Sequence, residues 1–131
     1  MHELTTDVNW YAVMAGAIVA FLVGWVWYSP KVFGQKWADG VGVSLTKSPP
    51  ADAMLSQIAG LLLMSWFVGV TAVSQALLTV ILATLAAIVL AYSARAFAGH
   101  SLAARLIDAG FTAAALVVMI LMQGIAMSIM G

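Results

Sequence analysis

Residues 9–37 read NWYAVMAGAIVAFLVGWVWYSPKVFGQKW. From Asn9 to Tyr28 there is no charged side chain. About twenty residues at 1.5 Å each give roughly 30 Å, the thickness of a hydrocarbon core, so the stretch predicts a membrane-crossing helix over about 9–28. Ala12, Gly16, Ala20 and Gly24 recur at every fourth position and so share one face. In lipid the hydrophobic effect does little to bring helices together, and such a row of small residues lets a second backbone approach closely. Helix packing, rather than a pore lining, is therefore the expected role of this groove. Trp25, Trp27 and Tyr28 stand where aromatic rings favour the headgroup boundary. Ser29-Pro30 then reads as a helix start, and Val32, Phe33, Lys36 and Trp37 fall at one-face spacing. That pattern predicts a short interfacial helix over about 30–39, with Gly40 and Gly42 ending it.

The whole chain supports this reading. Of its 131 residues 64% are hydrophobic and 8% charged, and the mean hydropathy is +1.07. A water-soluble domain carries about a quarter charged residues, so the expected solvent is lipid. Five basic and five acidic side chains leave a formal net charge of zero, which removes the electrostatic footprint of a nucleic-acid binder. Cysteine is absent, and with it disulfides, thiolate metal sites and cysteine nucleophiles. The first apolar stretch does not resemble a cleaved signal peptide, because Glu3 and Asp7 precede it without any Lys or Arg, and its far end is bulky.

Further along, Ser48-Pro49-Pro50 repeats the helix-start signal. From Ala53 to Ala94 no residue is charged, and a run of that length is about two spans. A break among Gly69, Thr71, Ser74 and Gln75 divides it into helices over about 49–70 and 74–97, the second with its own small-residue row of Ala83, Ala87 and Ala91. Gly99 suits a helix C-cap and Ser101 an N-cap for a last helix over about 102–130. The expected fold is all-α: a polytopic membrane protein with four transmembrane helices in one bundle, plus the interfacial helix. Lys31, Lys36, Lys47, Arg95 and Arg105 all fall on one side of four crossings. The positive-inside rule then places these connections in the cytoplasm and both termini outside a cell inner membrane.

Two stretches resemble a known family. Asn9-Trp10 with Ala12-Val13, followed by Gly24, Trp27-Tyr28-Ser29-Pro30, Phe33-Gly34 and Trp37, is similar to the bacterial membrane proteins grouped as domain of unknown function 1761. Ile107-Asp108-Ala109-Gly110-Phe111 resembles that family's opening of the last helix, departing from it at Asp108, where the pattern has Asn. Thr112 stands where the family often has His. The resemblance implies a small bacterial four-helix membrane protein and brings no activity with it.

Few residues are candidates for chemistry. Asp108 lies about 10 Å into the last helix, and an ionisable group within a span is a functional candidate by default. A structural ion pair with Arg105 on the same face, or with Arg95 or Lys31 from the same end, or a hydrogen bond to a neighbouring helix, is the favoured alternative. Gln123 is expected near mid-membrane on the Asp108 side, forming a sparse polar seam with Thr112 and Met119, and Gln57 with Ser56 offers a second on the second membrane helix, toward the cytoplasmic end. Met119, Met122 and Met130, with His2, have ligands that suit Cu(I), but no His or Cys joins them within the membrane, and no metal or cofactor is expected. His2 and His100 fall on opposite sides, no phosphate loop or paired carboxylate is present, and enzyme activity is not expected. The working expectation is a homo-oligomeric transporter or channel-like protein built around Asp108 and Gln123. The alternative is a structural or accessory subunit packed against a larger membrane complex. In either case the lipid bilayer, and copies of this chain or other membrane subunits, are the expected partners.

Overall fold

In the computed structural model, which describes residue 5 and residues 7–43 and 51–130, every regular element is helical. We number the helices α1 (Trp10–Trp27), α2 (Gly34–Val41), α3 (Ala51–Val73), α4 (Leu77–Phe97) and α5 (Leu102–Met130). All but α2 are long and apolar enough to cross a membrane. The chain is an all-α membrane protein.

α5 is the axis of the bundle and touches each of the other four helices; α3 lies against both α1 and α4. The α1 row explains why this arrangement forms. Ala12 is 2% exposed and Ala20 fully buried, with Gly16 and Gly24 buried beside them. A Cβ placed on Gly16 would lie 2.7 Å from the Ser65 hydroxyl and 3.4 Å from the Met119 Cα. The groove is therefore filled within the chain, by α3 on one side and α5 on the other. The absence of side-chain bulk on α1 lets the Ser65 hydroxyl reach past the helix surface and donate to the Val13 carbonyl at 2.7 Å. Ser65 is buried, and that bond satisfies its donor where water is absent. Ala20, Leu61, Val68, Val80, Ala115, Leu116 and Met119 complete the core.

The ends of the helices follow local chemistry. Asn9 caps α1 by accepting a hydrogen bond from the Ala12 N–H at 3.1 Å. α3 closes with Gln75 in the left-handed region at φ 56°, while the Ala76 N–H returns to the Thr71 carbonyl at 2.7 Å. α4 closes the same way, with Gly99 at φ 84° and the His100 N–H bonded to the Arg95 carbonyl at 3.0 Å. Ser101 caps α5 by accepting from the Ala104 N–H at 3.1 Å.

Several expectations are corrected. Ser29-Pro30 does not begin a helix: residues 28–33 form consecutive turns, and α2 starts only at Gly34. The turns arise because the Phe33 and Gly34 N–H groups reach back to the Trp27 and Ser29 carbonyls, at 3.1 and 2.9 Å. Gly34 is needed there, since a Cβ would overlap the Tyr28 carbonyl. Gly40 does not end α2 but lies inside it, pressed on Ser101 and Ala104; Gly42, at φ 89°, supplies the stop. The break between α3 and α4 falls at residues 74–76, while Gly69 and Thr71 are buried within α3. Ala83 and Ala87 face outward on α4 and contact no helix of this chain closely enough to be covered. The Ser48-Pro49-Pro50 signal and Lys47 lie outside the described residues.

The α1 groove gives a paired test. Gly60 has open space where its Cβ would go. Gly60→Ala is expected to stabilise the protein by about 0.5–1 kcal/mol through helix propensity. Gly16→Ala, which must displace the Ser65 hydroxyl, is expected to destabilise by about 1–3 kcal/mol. Unfolding in mixed detergent micelles measures both, and equal effects of the two changes would show that the groove is not filled.

Candidate functional site: a polar clasp at the basic end

The exposed cations Lys31 and Lys36, together with Arg95 and Arg105, share one end of the bundle, and the most connected group of polar side chains lies there. It begins where α1 stops. Trp27 is the last residue of α1, and its indole N–H donates to the Ile107 carbonyl of α5 at 2.9 Å. The Trp27 ring lies over Gly110, where a Cβ would come within 2.9 Å of it. One residue on, the Tyr28 hydroxyl donates to Asp108 Oδ1 at 2.5 Å. The Tyr28 ring meets Phe111 and Trp37 edge-on, with centroids 5.6 and 5.5 Å away. Phe111 in turn packs on Gly24.

The second oxygen of Asp108 accepts from Arg95 Nε at 2.6 Å, which brings the last turn of α4 into the same group. Arg95 also donates to the Ala91 carbonyl at 3.2 Å. Asp108 is largely enclosed, its side chain 12% exposed against 36% for Arg95. A carboxylate in such surroundings needs both a counter-charge and hydrogen bonds, and here it has one of each kind. Three helices are clasped by a single side chain.

Arg105 takes a different course from the one expected. It does not bond Asp108, although it stands one turn before it on α5. Its Nε donates to the His100 carbonyl at 3.0 Å and one Nη to the Tyr92 hydroxyl at 3.3 Å, with the guanidinium 5.3 Å from the Tyr92 ring centre. Tyr92, Arg95, Arg105, Asp108 and Thr112 line a recess of about 40 Å³ between α4 and α5.

The remaining candidates do not join this group. Gln57 lies one turn deeper, its amide nitrogen 3.3 Å from the position of a Gly24 Cβ. Gln123 does not take the mid-span position expected of it. It sits toward the opposite end of α5, roughly 22 Å from Asp108 at 1.5 Å per residue. There it packs on Gly69 and lines a cavity of about 210 Å³ with Asp7 and Asn9. The polar seam linking Asp108, Thr112, Met119 and Gln123 does not form: Met119 is fully buried against Gly16, and the Thr112 hydroxyl bonds back to its own helix at the Asp108 carbonyl. Among the described residues no three His, Cys, Asp or Glu side chains stand together as a metal site. His2 and the side chain of Met130 lie outside them.

Sequence reading missed the inward aim of Trp27 and Tyr28. Both were expected as headgroup anchors, yet only Trp25, 67% exposed, faces outward as an anchor would. The overlooked signal was their common end with Asp108. The two stretches that carried the family resemblance are thus one contact in space, Trp27 and Tyr28 closing on Ile107, Asp108, Gly110 and Phe111.

Non-additivity tests the clasp. Tyr28→Phe removes one hydrogen bond to a charged group and is expected to cost about 1.5–3 kcal/mol of stability. Asp108→Ala removes both bonds and costs more. The combined variant should be little worse than Asp108→Ala alone, because the phenol has then already lost its acceptor. Costs that simply add would show that the two residues act independently.

No curated protein and no solved structure matches the chain. One family model does, over residues 11–130, a range that contains both halves of the clasp and all of α1 but its first residue. The chain accordingly belongs to the family described as "Protein of unknown function (DUF1761)".

Proposed function

We propose that this protein is a non-catalytic packing subunit of a cell inner membrane, which offers α4 to a transmembrane helix of another chain. The basic end would lie in the cytoplasm and both termini outside, following the count of basic residues in the connections. The observation that carries the proposal is the imbalance of α4. It is the most apolar of the spans and the least buried within the bundle. Its outward face combines bulky Leu78, Leu82, Leu85 and Leu90 with the small Ala83 and Ala87. Large ridges beside small residues are the surface that another helix packs against in lipid. The equivalent row on α1 is already occupied within the chain, so α4 is the face left over.

Less supports the homo-oligomeric transporter expected from Asp108 and Gln123. A pathway through one chain would have to join them, and the intervening part of α5 presents Ala115, Leu116 and Met119, all buried in the apolar core. Asp108 itself is engaged on both oxygens. A path between copies would use the same α4 face, so one experiment addresses both readings.

Because the chain has no cysteine, Ala87→Cys creates a unique probe on that face. Cross-linking in native membranes is expected to trap an adduct to a second transmembrane chain. A foreign chain supports the accessory role, and an adduct only to a second copy replaces it with a homo-oligomer. Recovery of uncross-linked protein alone contradicts any packing role for α4. In the same cells, a reporter active only in the cytoplasm and fused after Gly131 should stay silent.

A further inference from the structure

The clasp leaves one charge unanswered. Among the described residues the only ion pair is Arg95 with Asp108. Arg105 lines the same recess, and its partners are the His100 carbonyl, the Tyr92 hydroxyl and the Tyr92 ring. All are neutral. They fix the guanidinium in place and accept its hydrogen bonds without compensating its charge. Arg95 and Arg105 against Asp108 leave the recess with one net positive charge at the end of two apolar helices.

We propose that the recess between α4 and α5 seats the phosphate of an anionic phospholipid. Three features fit that ligand. First, guanidinium groups match phosphate oxygens in shape and charge, and each arginine here has nitrogens that its internal bonds leave over: Arg95 uses Nε and one Nη, and so does Arg105. Second, the recess of about 40 Å³ has room for roughly one water-sized group, so it admits a phosphate oxygen while the rest of a headgroup stays outside. Third, the surroundings are those of a lipid and not of a soluble phosphate. Val89 is 64% exposed, and Leu102 and Leu106 each 56%, giving acyl chains an apolar surface on the flanks of the two helices that form the recess. Basic recesses between transmembrane helices at the membrane boundary hold anionic headgroups elsewhere for the same physical reason. Tyr92 is a positioning residue in this site: its hydroxyl and ring hold Arg105 toward α4.

Native mass spectrometry of the full chain tests this. The protein is exchanged into mixed micelles containing equal phosphatidylglycerol and phosphatidylcholine, and the lipids that remain bound are counted. The wild type is expected to favour phosphatidylglycerol by about fivefold or more, the scale set by one unanswered cation at a membrane surface. Arg105→Gln should bring the ratio near one, Arg105→Lys should restore part of it, and Tyr92→Phe should fall between wild type and Arg105→Gln. Circular dichroism confirms that each variant is folded, and Arg105→Lys serves as the readout if Arg105→Gln is not. Equal retention of the two lipids by the wild type overturns the proposal, as does a preference unchanged in Arg105→Gln. Displacement of bound phosphatidylglycerol by millimolar inorganic phosphate also overturns it, since the site would then belong to a soluble anion.

Discussion

Close approach of α1 to its neighbours is the constraint from which the rest of the structure follows. Membrane helices associate through packing and polar contacts because lipid already satisfies their apolar surfaces. Only where side chains are small can backbones come near enough for many weak contacts to add up. Ala12, Gly16, Ala20 and Gly24 provide that surface, and Ser65 and Met119 fill it from α3 and α5. Once α1 is set against α5, its last turn has nowhere to go but onto the start of α5. Trp27 and Tyr28 are thereby delivered to Ile107 and Asp108.

The clasp at that end then solves a problem that α5 poses. Its 29 residues make it about 43 Å long, more than a hydrocarbon core requires, so its first turns extend to the boundary. Asp108 lies within those turns. Alone it would be a poorly solvated carboxylate costing up to about 2.5–3.5 kcal/mol if drawn toward mid-membrane. Bonded to Tyr28 and Arg95 it becomes a tie among α1, α4 and α5. The same arrangement concentrates positive charge on the α4 side, where Arg105 is held by neutral partners. Packing and charge therefore place the bare α4 face and the surplus cation on adjoining surfaces.

Much of this was legible in the residues. Composition and uncharged runs give the number of spans, and spacing alone marks the α1 groove, because helical periodicity is local and strong. The Gly99 and Ser101 signals act within a single turn and are legible for the same reason. What was not legible depended on rotation between helices. Nothing local distinguishes Trp25, which faces outward, from Trp27, which bonds α5. Helical spacing puts Gln123 on the same side of α5 as Asp108, but its depth depends on where the neighbouring helices end, and Gly69 and Asn9 meet it toward the far end. Ser29-Pro30 has the right residues for a helix start, yet the Trp27 and Ser29 carbonyls capture the N–H groups of Phe33 and Gly34 first. Ser65 carried no motif at all, and only the gap opposite it on α1 gives it a role.

The central claim is that the α1 groove is filled by the chain's own α5, and a designed disulfide examines it most directly. A Cβ on Gly16 lies 3.4 Å from the Met119 Cα, within the reach of a disulfide. Gly16→Cys with Met119→Cys, in a Ser65→Ala background that makes room for the new side chain, should oxidise to an intrachain bond in nanodiscs loaded with one copy each. Cross-links that form only between chains, and only when two copies share a disc, would contradict the account.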